Sequence, residues 1–150
     1  MCEMVTTAGQ AMRQIRLEPT VQAPGHARRF VSEVLDELGR SDLVEAAALI
    51  ASELVTNSRA AAPNGPIWVD VWQTGAFLDL EIWDCSPKPP ELLDPDLLAE
   101  GGRGLHIVKQ LTRAFGYATF DCGKVVWAIL DVTGREQHSK RCPHCGAESG

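Results

Sequence analysis

The sequence has no apolar run long enough to cross a bilayer, and its N-terminus lacks a cationic segment followed by an apolar one. We therefore expect no membrane contact and a cytoplasmic protein. Basic charge is also scarce, with a net charge of -6 and a pI of about 5.1. Surfaces that bind nucleic acid neutralise phosphate with Lys and Arg, so direct nucleic-acid binding is not expected.

Cysteine is present without the pattern of a disulfide scaffold. The five cysteines are odd in number and scattered along the chain, which favours reduced thiols. A chain of 150 residues, 45% of them hydrophobic, is long enough for one domain with a full core. We divide it into a flexible N-terminus over 1–11, a folded domain over 12–133 and a C-terminal tail over 134–150.

Hydrophobic periodicity predicts an α+β fold. Apolar residues at helical spacing predict helices from Pro24 to Gly39, from Ser41 to Ala61 and from Leu105 to Phe115. Alternating residues predict a first strand over 13–17, a hairpin over 67–71 and 78–82, and a second hairpin over 118–121 and 125–132. A long loop is predicted over 85–102. This order predicts a two-layer α/β sandwich, with helices on one face of a mixed, mostly antiparallel sheet.

The second predicted helix carries polar residues in unusual places. Its apolar stripe consists of Leu43, Ile50, Leu54, Asn57 and Ala61. An unpaired amide at Asn57 would then be buried at a cost of about 1–3 kcal/mol. Glu53 lies one turn earlier, so the two side chains would project from the same flank of the helix. There the Asn57 amide oxygen could bind Mg²⁺, and the Glu53 carboxylate could accept a proton from an attacking hydroxyl. The alternative is an Asn bonded to backbone, with Glu53 at the solvent edge.

A second unusual polar residue ends a strand. Leu78, Leu80 and Ile82 define an inward face, and Asp84 has the same parity. Its carboxylate could accept a hydrogen bond from an exocyclic amine such as that of adenine. Alternatively, it caps the turn at Ser86-Pro87.

A glycine cluster precedes the third predicted helix. Gly101, Gly102 and Gly104 would let backbone approach an anion, while the helix N-terminus and Arg103 would attract phosphate. The Lys-Ser/Thr of a P-loop is missing here, and a flexible connector is the alternative.

The three segments in this order resemble the GHKL (Bergerat-fold) ATP-binding superfamily. Glu53-x-x-x-Asn57, Asp84-x-Ser86-Pro87 and Gly101-Gly102-Arg103-Gly104-Leu105 carry the resemblance, which runs from about Pro24 to Val132. Small bacterial anti-sigma-factor serine/threonine kinases and related histidine-kinase-like ATPases look most similar. The resemblance makes 12–133 an ATP-binding domain of the Bergerat fold.

The resemblance also implies a role for each matching residue. Glu53 would be the general base and Asn57 the Mg²⁺ ligand, while Asp84 would bind the adenine amine. The remaining nucleotide-binding residues would be Ser58, Ser86, Gly102, Arg103, Gly104 and Leu105. The loop from Lys88 to Gly101 would cover ATP. Three residues depart from the pattern: Val125 stands where relatives often have Thr, Ala61 where close relatives have His, and Ser86 where the more distant kinases have Gly.

The resemblance further implies two kinds of function. A kinase would transfer the γ-phosphate of Mg²⁺-ATP to a serine of a small antagonist protein and would bind a sigma factor as an alternative partner. A non-catalytic ATP-binding module would instead act by protein contacts alone. Trp72 and Trp83 fall on the hairpin face opposite the apolar one, which favours a subunit or partner surface, and a homodimer is one form it could take.

The C-terminal tail has the spacing of half a zinc site. His138, Cys142, His144 and Cys145 are candidate ligands, and Cys-Pro-x-Cys-Gly is typical of a zinc knuckle. The alternative is a disordered tail whose cysteines stay free.

Overall fold

The computed structural model describes residues 11–75, 77–90 and 112–131. Two helices and five strands lie in these ranges. The helices are α1 (Ala23–Glu37) and α2 (Val44–Ala61), which a short 3₁₀ turn over Ser41–Leu43 precedes. The strands are β1 (Ala11–Leu17), β2 (Ile67–Thr74), β3 (Phe77–Asp84), β4 (Thr112–Phe120) and β5 (Gly123–Asp131).

The strands form one sheet in the order β1-β2-β3-β5-β4, and every pair of neighbours among the described strands is antiparallel. Both helices pack on one face of it. The core between the layers contains aliphatic residues of both helices, such as Val31, Leu35 and Ile50, and of the central strands, such as Val69 and Leu80. The α+β fold predicted from the sequence is therefore confirmed.

The prediction of a third helix from Leu105 to Phe115 is wrong at its C-terminal end. Phe115 pairs with Ala128 inside β4, a strand that begins at Thr112. Phe115 lies four residues after Leu111, and this spacing fits one face of a strand as well as one face of a helix. Because β4 is rich in Thr and aromatic residues and pairs with β5 along its length, the strand prevails. Residues 105–111 lie outside the described residues.

The expectation of reduced thiols is wrong at one position. Cys122, in the β4–β5 turn, is disulfide-bonded, whereas Cys85 is a free, exposed thiol. Sequence spacing does not indicate which cysteines a fold brings within bonding distance. Neither described helix is long and apolar enough to cross a membrane.

The sheet face turned away from the helices buries three carboxylates. Asp70, Asp79 and Glu81 are between 0% and 4% exposed, and Asp70 lies directly across from Glu81 on the neighbouring strand. Half-buried tryptophans on the same face surround them: Trp68, Trp72, Trp83 and Trp127. We call this side of the sheet the outer face.

Burial raises the pKa of Asp70 from 3.8 to about 7. The charge of Glu81 adds to this effect, and that of Asp79 contributes less. A hydrogen bond of 2.9 Å from the Gln14 amide acts in the opposite direction and lowers the pKa, as does the polar N–H of the nearby Trp83 indole. The protonated carboxyl is therefore favoured in the folded chain.

We expect the free energy of unfolding to fall as the pH rises from about 4 to about 8. The folded state retains the Asp70 proton up to its raised pKa of about 7, while the unfolded chain releases it near 3.8. At about 1.4 kcal/mol per pKa unit, Asp70 accounts for at most about 4 kcal/mol of this fall. Asp70→Asn should remove that part, as measured by urea unfolding at both pH values. A variant with the same pH profile as the wild type would contradict this assignment.

Candidate functional site

Asp84 ends β3 on the face turned towards the helices, with 4% of its surface exposed. The Lys124 Nζ lies 2.9 Å from its Oδ1 and 2.8 Å from its Oδ2. The Ser86 backbone N–H donates to Oδ1 over 2.9 Å, so the turn-capping contact is present as well. Asp84 is thus a buried carboxylate held by one cation and one backbone amide.

Sequence reasoning missed Lys124. Its position across from Asp84 follows from the antiparallel register of β3 with β5. A lysine next to a turn glycine suggests an exposed residue, yet the Lys124 side chain is only 3% exposed. Val125, one of the departures from the family pattern, pairs with Trp83 and lies on the outer face.

Glu53 and Asn57 lie on the accessible flank of α2. Glu53 is half-buried and Asn57 is exposed, and neither side chain forms a hydrogen bond with another described residue. The expectation that Asn57 lies in the buried stripe is wrong. The buried face of α2 continues from Leu54 to Ser58, which is 2% exposed. With 3.6 residues per helical turn, the residue four positions after Leu54 can lie on the same face as readily as Asn57, three positions after it.

Ser86, the second residue of the loop after β3, is buried and forms a hydrogen bond within that loop. Ser86 is 6% exposed, and its Oγ accepts a hydrogen bond from the Lys88 backbone N–H over 3.4 Å. The other predicted phosphate-binding residues lie outside the described residues: Gly102, Arg103, Gly104 and Leu105.

The predicted zinc ligands also lie outside the described residues: His138, Cys142, His144 and Cys145. Within residues 11–75, 77–90 and 112–131, no cluster of His, Cys, Asp and Glu side chains could hold a metal ion. The structure therefore gives the tail zinc site no support.

The described side chains fit a nucleotide with Mg²⁺. Asp84 offers a buried acceptor at the end of a central strand: its Oδ1 accepts from Lys124 and from the Ser86 backbone, whereas Oδ2 has no hydrogen-bond partner among the described residues and could accept from an amine. The amide of Asn57 and the carboxylate of Glu53 are oxygen donors without protein partners among the described residues.

A model of the histidine kinase-like ATPase domain matches residues 16–130. The chain belongs to this family. The match spans all of the predicted site from Glu53 to Leu105, and the histidine kinase-like ATPase fold agrees with the observed antiparallel sheet and its two helices. Membership implies ATP binding, usually with Mg²⁺. A comparison with curated proteins finds no match.

We expect Lys124→Met to lower the free energy of unfolding of this ATPase domain by about 3–5 kcal/mol, because it leaves the Asp84 carboxylate buried without its cation. Urea unfolding measures the change. Combining Lys124→Met with Asp84→Leu should recover most of the loss, since both charges are then absent.

Arg16→Ala is the matched control for this ion pair. Arg16 contacts Glu18 over 2.6 Å, but both side chains are more than half exposed, so its loss should cost about 1 kcal/mol or less. A Lys124→Met variant no less stable than Arg16→Ala would show that the buried pair contributes nothing.

Proposed function

We propose that this histidine kinase-like ATPase domain is a serine/threonine protein kinase of the anti-sigma-factor type. It would phosphorylate a serine of a small antagonist protein and bind a sigma factor as the alternative partner. The observation that carries the proposal is the placement of Glu53 and Asn57, one turn apart on the accessible flank of α2, inside the region matched by the family.

Each side chain has a task that suits its surroundings. Asn57 is exposed and would hold Mg²⁺ through its amide oxygen. Glu53 is half-buried and without a protein partner among the described residues, so its carboxylate can accept the proton of an attacking serine hydroxyl. Bound Mg²⁺-ATP would supply the γ-phosphoryl group.

Asp84 and Lys124 would set the affinity for the base. An incoming adenine amine would share the Asp84 carboxylate with Lys124, whose Nζ already contacts both carboxylate oxygens. Competition for one buried acceptor lowers the net gain from the new hydrogen bond. We therefore propose that the base binds more weakly here than it would to an Asp without a lysine partner.

The same ion pair supports a second candidate, an ATP-binding module that acts by protein contacts without phosphate transfer. Weak nucleotide binding suits a domain whose output is the capture or release of a partner protein. ATP-dependent partner binding without a phosphorylated serine would favour this candidate.

We expect Asn57→Ala to weaken Mg²⁺-ATP binding by about tenfold or more, because an interaction with a charged group is lost. Isothermal titration calorimetry measures the affinity. Asn64→Ala is the matched control, since Asn64 is an exposed asparagine just beyond the end of α2 and should leave the affinity unchanged. Equal affinities for the two variants would rule out Asn57 as the ligand.

We expect Glu53→Ala to slow phosphate transfer by about 10²–10⁴-fold while ATP affinity is retained, because only the proton acceptor is removed. The assay follows γ-labelled phosphate from ATP onto serine in an extract of the source cells. Glu45→Ala, an exposed glutamate in the first turn of the same helix, should transfer at the wild-type rate. Wild-type transfer by Glu53→Ala would refute the base assignment.

A further inference from the structure

A cavity of about 410 Å³ opens at one end of the outer face. Its described lining comes from all five strands and from three of the segments that connect elements: Gln14, Pro66, Trp68, Trp83, Asp84, Cys85, Phe120, Cys122, Gly123 and Lys124. By strand parity the rings of Trp68, Trp83 and Phe120 belong to the face turned away from α2. The described lining contains no residue of α2, so the cavity does not include Glu53 or Asn57, but it meets the candidate nucleotide site at Asp84 and Lys124.

Three aromatic rings give this cavity its character. Trp83 and Phe120 stack with their ring centroids 5.8 Å apart and their planes 22° apart. Trp68 lies directly across from Trp83 on β2. Aromatic faces carry negative electrostatic potential and attract cations.

Buried carboxyl groups lie directly behind two of the lining residues. Gln14 donates a hydrogen bond to Asp70 over 2.9 Å, and the Trp83 indole N–H donates to Glu81 over 3.2 Å. Asp70 is completely buried, and one of its carboxylate oxygens, Oδ2, has no hydrogen-bond partner within the described part of the chain. The one cation in the described lining, Lys124, is neutralised by Asp84.

We propose that this cavity binds the guanidinium group of an arginine side chain presented by a partner protein. A planar cation matches flat aromatic walls, on which guanidinium stacks more favourably than the compact, strongly hydrated ammonium of lysine. The carboxylates behind the walls select a cation over an apolar side chain, and the acidic chain favours a basic partner surface. The proposal goes beyond the proposed kinase function and does not depend on it.

Cys85 provides a direct readout of occupancy. It is an exposed free thiol in the cavity lining, so a bound ligand should slow its alkylation by iodoacetamide, followed by peptide mass spectrometry. The probe is N-acetyl-arginine amide, and the control is N-acetyl-citrulline amide, which has a similar shape but no charge. We expect the arginine probe to protect Cys85 at a concentration about tenfold lower than the citrulline control.

Phe120→Leu tests the aromatic wall. Phe120 is 47% exposed, so the substitution should leave the chain folded, and we expect protection by the arginine probe to require about threefold to tenfold more ligand. Tyr117→Leu is the matched control, because Tyr117 is 48% exposed in the same strand but on the opposite face. Its protection should match that of the wild type.

Asp70→Asn tests the charge behind the wall. Asp70 faces Gln14 and, further along β1, Arg16, which is paired with Glu18; on β3 it faces Glu81 and Asp79. Because the pKa of Asp70 is about 7, wild-type affinity for the arginine probe should rise between pH 6 and pH 8 as the carboxyl ionises. Asp70→Asn should flatten this profile, a result that a purely structural role would not give.

Three outcomes would overturn the proposal. Equal protection by the citrulline and arginine amides would identify an apolar pocket. The absence of protection by the arginine probe from the folded wild type would show that the cavity takes no guanidinium. Protection by methylguanidinium at concentrations as low as the arginine amide requires would indicate a small free cation in place of a protein side chain.

Discussion

The antiparallel pairing of β3 with β5 is the constraint on which the rest of the molecule depends. One register places Asp84 across from Lys124 beneath the helices and Trp83 across from Val125 on the outer face. A slip by one residue would exchange the two faces, exposing Leu80 and Ile82 and separating the buried charges. The ion pair and the aliphatic core therefore specify the same alignment, and together they hold Asp84 at the strand end where the site begins.

The outer face of the sheet buries carboxyl groups, which costs free energy. Asp70, Asp79 and Glu81 are buried on the face opposite the two described helices, and the tryptophans around them supply apolar cover. A sheet with only one face packed ordinarily leaves polar side chains in water on the other face. Here desolvation instead raises the pKa of Asp70 to about 7, so the face changes charge near neutral pH.

Much of the fold could be predicted because periodicity reports burial directly. The alternation around Val69 and Leu80 identified the first hairpin, and the helical spacing of apolar residues between Pro24 and Gly39 identified α1. Asn57 was misplaced because a step of three and a step of four from Leu54 are both compatible with a helical stripe, and only packing decides that Ser58 is the buried residue. Phe115 was misplaced for a related reason, since pairing with β5 overrides its helical spacing.

The Asp84–Lys124 contact could not be predicted, because forty residues separate the partners and only the sheet register brings them together. The same two residues line the aromatic cavity. A nucleotide base that draws Lys124 away from Asp84 would therefore change one wall of that cavity. Thermodynamic linkage then requires the effect to be mutual. If the bound base changes the affinity of the cavity for its ligand by some factor, the bound cavity ligand changes the affinity for the base by the same factor.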